Sequence, residues 1–96
     1  MKAETIIRAV CREFDVKRKD LLALSRMSEI VEARQVAFFL IRSMLKLSHR
    51  GIGKVFRRDH TTVGFGARKI ARRVRRDAVL HQKIAHLKKE LLRSHK

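Results

Sequence analysis

Apolar residues recur along this chain at helical spacing. Ile6, Val10 and Phe14 fall four apart, and Ile7 and Cys11 widen the stripe, which predicts a first helix of about three turns. The segment "DVKRKDLLAL" predicts a turn and a short helix, with its start fixed by Asp20 and its apolar anchors at Leu21, Leu22 and Leu24. "SRMSEIVEA" has weak periodicity and two serines, and predicts a loop running into a helix near Ile30 to Arg34. The following helix is the most apolar. Val36, Phe38, Phe39, Leu40, Ile41, Met44 and Leu45 cover more than one face, which places it at the centre of a bundle. Ser48 suits the cap of a further short helix carrying Ile52, Val55 and Phe56. Val63, Ala67, Ile70 and Val74 form the next seam, on a helix whose other sides carry Arg68, Lys69, Arg72, Arg73, Arg75 and Arg76. A last helix follows Asp77, with Leu80, Ile84, Leu87 and Leu91 as its seam. Proline is absent and the four glycines all lie between Gly51 and Gly66, so the punctuation of strands and hairpins is missing. The expected fold is all-α, a small helical bundle. Its 96 residues suffice for one core and are too few for a separate catalytic domain, so residues 1–96 read as a single domain.

Composition supports folding and adds a partner. Hydrophobic residues make up 45% and charged residues 35%, enough apolar side chain to exclude a disordered chain. Twenty-five Lys+Arg against nine Asp+Glu give a net charge of +16, which points to a polyanion. Thirteen of those bases and only three of the acids lie from Arg57 onward, where phosphate is the natural counter-charge. No window reaches the ~20 apolar residues of a membrane span, and "MKAETIIRAVCREFD" meets charge too early for a signal peptide. A cytoplasmic, nucleoid-associated location is the default expectation. Cys11 stands alone and reads as a small hydrophobe without redox chemistry.

The chemistry concentrates in "RDHTTV", Arg58 to Val63. A helix from about Ser48 to Val55, a tight connection through Phe56 to Arg58 and a second helix opened by Asp59 form the layout of a helix-turn-helix, whose second helix enters the DNA major groove. Asp59 is a favoured N-cap. Capping leaves His60, Thr61 and Thr62 unexplained, because His and β-branched Thr are mediocre helix formers. Their groups suit base edges: Thr meets a thymine methyl or a polar edge, His donates or packs, and a carboxylate accepts from cytosine N4. Enzymatic readings fare badly. "GIGK" at Gly51 to Lys54 is too short for a phosphate-binding loop, and "GFG" at Gly64 to Gly66 matches no glycine fingerprint. His81 and His86 do not share a helical face for zinc, and His60 does not face its neighbour Asp59 as a catalytic dyad would. No catalytic residue, metal, cofactor or small-molecule substrate is expected.

"RDHTTV" followed by "ARKI" at Ala67 to Ile70, with "DLL" at Asp20 to Leu22 and "ARQVAFFLIR" at Ala33 to Arg42, resembles the C-terminal DNA-binding domain of the bacterial chromosomal replication initiators of the DnaA family. The resemblance covers nearly the whole chain. It implies a Trp-repressor-like helix-turn-helix that recognises DnaA boxes in duplex DNA, with Asp59, His60, Thr61 and Thr62 on bases in the major groove and Arg26 in the adjacent minor groove. It assigns phosphate contacts to Arg34, Gln35, Arg42 and Lys69, and to the backbone at His49 and Arg50. The chain also departs from the pattern. Ser28, Glu29 and Glu32 dilute the family's basic loop, and Ala33 replaces its proline. Arg57 and Arg58 stand where a glycine pair and arginine are usual, in a turn one residue shorter. Gly64 and Gly66 replace larger residues, at a helix-propensity cost of ~1 kcal/mol each. The family's ATPase module is not in this sequence, which therefore reads as a stand-alone relative or an excised domain.

The leading expectation is sequence-specific binding of double-stranded DNA, with a role in replication initiation or its regulation. The alternative is a small regulatory protein acting mainly through contacts with an initiator-related partner, suggested by the diluted loop and by the apolar seam of the last helix. Membrane-surface binding by that basic helix ranks below both, because Leu80 to Leu91 is more simply core.

Overall fold

A computed structural model describes residues 1–94, and the helices run in the order α1 (Ala3–Phe14), α2 (Arg18–Leu22), α3 (Ser28–Leu45), α4 (His49–Phe56), α5 (His60–Arg73) and α6 (Ala78–Ser94). No strand occurs among the described residues.

The central position of α3 follows from its breadth of apolar surface. Ile30, Ala33, Val36, Ala37, Phe38, Leu40 and Ile41 are all buried, and α1, α2, α4 and α5 pack around them. The loop expected before it is shorter than the serines suggested. It occupies residues 23–27, and the helix expected near Ile30 to Arg34 is continuous with the apolar one after it. Ile30, Ala33 and Ala37 continue the buried track at steps of three and four, and Met27 accepts from the amides of Ile30 and Val31 at 3.0 and 2.9 Å.

Other seams are as spaced. α1 buries Ile6, Ile7 and Val10, and Cys11 and Phe14 are half-buried against the core. α5 buries Val63, Ala67 and Ile70. α6 opens at Asp77, whose carboxylate accepts from the Leu80 amide at 3.0 Å, and buries Leu80, Ile84, Leu87 and Leu91 as it packs on α1. That seam is core along its length. The ring of Phe38 meets Phe56 edge-on at 4.9 Å, locking α4 to α3.

Three details of the sequence reading are corrected. Asp20 does not start α2: the chain turns at Asp15, re-enters helix at Arg18 behind Lys17 with no side-chain capping bond, and Asp20 is the middle residue of Arg18–Leu22. Leu24 is no anchor, being 82% exposed, because Ala23 is already extended and turns the next side chain outward. Val55 lies off the Ile52–Phe56 stripe and is exposed.

Helix ends use an unexpected residue set. Asp15, Lys46 and Arg57, at φ of 53°, 60° and 55°, adopt the left-handed conformation that ordinarily favours glycine, and each ends a helix. Ion pairs then tie the ends together. Glu4 of α1 accepts from Arg18 of α2 at 2.6 and 2.8 Å, and Arg12 of α1 reaches Glu90 of α6 at 3.1 Å.

Candidate nucleic-acid interface

α4 and α5 meet through a turn of residues 57–59 that close packing dictates. Ser48 Oγ accepts from the Gly51 amide at 3.0 Å and opens α4. At its other end, the Arg58 amide donates to the Gly53 carbonyl at 2.9 Å. A Cβ on Gly53 would stand 2.5 Å from the Arg58 carbonyl oxygen, so the turn folds back over the one residue that leaves room. Arg57 carries the left-handed bend without glycine's freedom.

Asp59 then caps α5, its Oδ1 accepting from the Thr61 amide at 2.7 Å. That bond, foremost, holds its carboxyl below the ordinary carboxylate range, so it remains ionised at neutral pH. The cap fixes the first turn, and His60, Thr61 and Thr62 project from it exposed. The sequence of α5, "HTTVGFGARKIARR", contains no acid. Thr61, Phe65, Arg68, Lys69 and Arg72 are all exposed along it. In front of the turn lies an open depression of about 440 Å³, lined by Arg50, Gly53, Lys54, Arg57, Arg58, Asp59 and His60. Four of these residues are cationic and one is acidic.

The glycines inside α5 bring it close to its neighbours. A Cβ on Gly66 would lie 2.9 Å from Gln35 Cγ and 3.0 Å from a Phe38 ring carbon, so α5 seats against α3 at bare backbone. His49 and Arg68 close over Gly64 in the same way. The propensity cost of these residues is thus offset by packing.

Arg34 requires a correction. It is only 6% exposed, and its guanidinium donates to the carbonyls of Leu21 at 2.7 Å, Ala23 at 2.9 Å, Ser25 at 3.2 Å and Asp20 at 3.3 Å. Four of its five N–H groups are taken by backbone carbonyls, which makes Arg34 a scaffold for the loop that follows α2. Burial, with the Arg58 charge nearby, lowers its pKa, yet a guanidinium stays protonated at neutral pH. Arg58 also donates to the Ala23 carbonyl. Two arginines therefore fasten the loop bearing Arg26 to both α3 and the turn. Sequence reasoning missed this clamp, since only the shared carbonyl at Ala23 reveals it.

The remaining positions divide by exposure. Arg26, Arg50 and Lys69 are exposed. Arg42 is also exposed, although its Nη1 touches the Leu47 carbonyl at 3.1 Å at the end of α3. Gln35 and His49 are half-buried where α5 packs on α3 and α4. The amides of His49 and Arg50 precede the first backbone bond of α4, which Ile52 donates to Ser48. Arg73 is withdrawn from the basic face: Glu32 at 2.8 Å and Asp77 at 3.0 Å hold it between α3 and the start of α6. Among the described residues no group of three His, Cys, Asp or Glu could hold a metal, and no helix is long and apolar enough to cross a membrane.

Two helices locked by a three-residue turn, the second capped by an acid and presenting an exposed polar first turn, define a helix-turn-helix module. Comparison with known proteins agrees. Residues 3–70 match the family model described as the bacterial DnaA protein helix-turn-helix. The chromosomal replication initiator protein DnaA of Rhodopseudomonas palustris (strain BisA53) is 41% identical over 92 residues, covering 95% of this chain and 19% of that protein. The DnaA proteins of Bradyrhizobium sp. (strain ORS 278) and Nitrobacter hamburgensis are each 40% identical over 92 residues, with the same coverage. The chain belongs to the bacterial DnaA helix-turn-helix family, and it spans about a fifth of the length of these relatives.

Proposed function

We propose that this chain binds double-stranded DNA sequence-specifically at sites like the DnaA box, and acts in replication initiation or its regulation. The observation that carries the reading is the tip of α5: one capping carboxylate leaves His60, Thr61 and Thr62 exposed at the head of an acid-free, arginine-rich helix. Asp59 and the three residues after it read bases in the major groove, and Arg26 enters the neighbouring minor groove from the clamped loop. Lys69, Arg42, Gln35 and the amides of His49 and Arg50 meet phosphate, which supplies affinity without sequence preference. Arg34 contributes by holding the loop. The relatives' name, chromosomal replication initiator protein, supports the biological setting.

Selection of preferred sites from a random duplex pool tests the reading. Enrichment of one recurrent motif is expected, and recovery of the input distribution would refute it. For the alternative, contacts with an initiator-related protein partner, the α6 seam of Leu80, Ile84, Leu87 and Leu91 is buried in the core, while Val79 and Leu92 of the same helix stay exposed.

A further inference from the structure

Phe65 is the most exposed of the five phenyl rings. Of the five phenylalanines, Phe38 and Phe56 are 1% exposed, and Phe14 and Phe39 are half-buried beneath the ammonium groups of Lys83 and Lys88, at 4.9 and 5.4 Å. Phe65 is 55% exposed. It stands four residues after Thr61 and three after Thr62, one helical turn down the same face, with Arg68 and Lys69 a turn further on. It is thus an isolated apolar group in cationic surroundings, about 5 Å beyond the first-turn threonines. A polyanion that rewards such a group must itself carry an isolated apolar point. In the major groove of duplex DNA that point is the C5-methyl of thymine, since the other exposed groups of the base edges are donors and acceptors.

We propose that Phe65 is a specificity-determining residue that packs on a thymine methyl in the major groove, one turn beyond the bases read by Asp59 to Thr62. This rests on the proposed duplex-DNA function. It adds a thymine preference set by an aromatic side chain outside the Asp-His-Thr-Thr signature. An aromatic ring beside arginines also suits stacking on single-stranded bases. The flanking first-turn threonines and the helix-turn-helix geometry favour the duplex.

The test uses the full chain and a preferred duplex site, with each thymine replaced in turn by deoxyuridine, which lacks only the methyl group. Wild type and Phe65→Ala are titrated against the set. At one thymine the replacement weakens wild type about fourfold, which is ~0.8 kcal/mol for one buried methyl at 1.4 kcal/mol per tenfold. The same replacement leaves Phe65→Ala unchanged, while replacements at other thymines affect both proteins equally. Phe65→Leu keeps part of the discrimination. Phe65 is exposed, so the unfolding midpoint of Phe65→Ala should match wild type. Equal effects of every replacement on both proteins would overturn the proposal, as would a Phe65→Ala defect seen on single strands and not on the duplex. A wild-type protein with no preferred duplex site would overturn the parent reading and this one together.

Discussion

Replacing Arg34 separates a scaffold from a phosphate contact. Its two shorter bonds, to Leu21 at 2.7 Å and Ala23 at 2.9 Å, are charge-assisted, and at ~1.5 kcal/mol each they contribute about 3 kcal/mol. The two longer bonds, at 3.2 and 3.3 Å, lie at the weak end of the hydrogen-bond range and are left out of that sum. Arg34→Met returns about 1 kcal/mol through its apolar side chain, for a net loss of about 2 kcal/mol. In a domain of this size that lowers the thermal midpoint by roughly 8–16 °C. Arg34→Lys should lose nearly as much despite keeping its charge, because one ammonium cannot span four carbonyls arranged for a fork. Urea and thermal unfolding followed by far-UV circular dichroism, without DNA, measure both variants. If both unfold within ~0.5 kcal/mol of wild type, and Arg34→Met instead lowers the salt slope of DNA binding by about one, the scaffold assignment is wrong.

Gly53→Ala should destabilise by ~1–3 kcal/mol from overpacking, even though alanine is the better helix former, because the new Cβ meets the backbone oxygen of Arg58; chemical denaturation reads the sign. Thr61→Ala should lower discrimination between preferred and scrambled duplexes more than it lowers non-specific affinity, whereas Lys69→Ala should weaken binding to all sequences alike; competition titrations distinguish the two. The carboxyl of Asp77 is held below its ordinary value of 3.8 by the Leu80 amide and then by Arg73. A depressed folded pKa means that the stabilisation is complete above the unfolded value and is lost as pH falls through the folded one. Stability should therefore hold above about pH 5 and fall in stronger acid, and Asp77→Asn should flatten that fall in pH-dependent melts.

Much of this was legible because apolar spacing survives folding unchanged. Val63, Ala67 and Ile70 lie where steps of four and three put them, as do Leu80, Ile84, Leu87 and Leu91. The caps at Ser48 and Asp59 were visible because the required oxygen sits in the cap residue itself. Helix ends were harder to see. Asp15, Lys46 and Arg57 hold left-handed conformations that their residue types do not advertise. Arg34 illustrates a third limit: the resemblance assigned it to phosphate, and the backbone carbonyls that surround it come from a loop whose path the sequence does not specify. Gly64 and Gly66 looked like losses of helix propensity, and the reason for them lies on α3 and α4, distant in sequence.

The central claim is that the tip of α5 reads sequence while the basic face binds backbone. Titration of a DnaA-box duplex and a scrambled duplex of equal length over a salt series tests it most directly. The account predicts tighter binding to the box at every salt concentration, with both affinities falling steeply as salt rises. Equal affinity for the two duplexes, with the same salt slope, would contradict it.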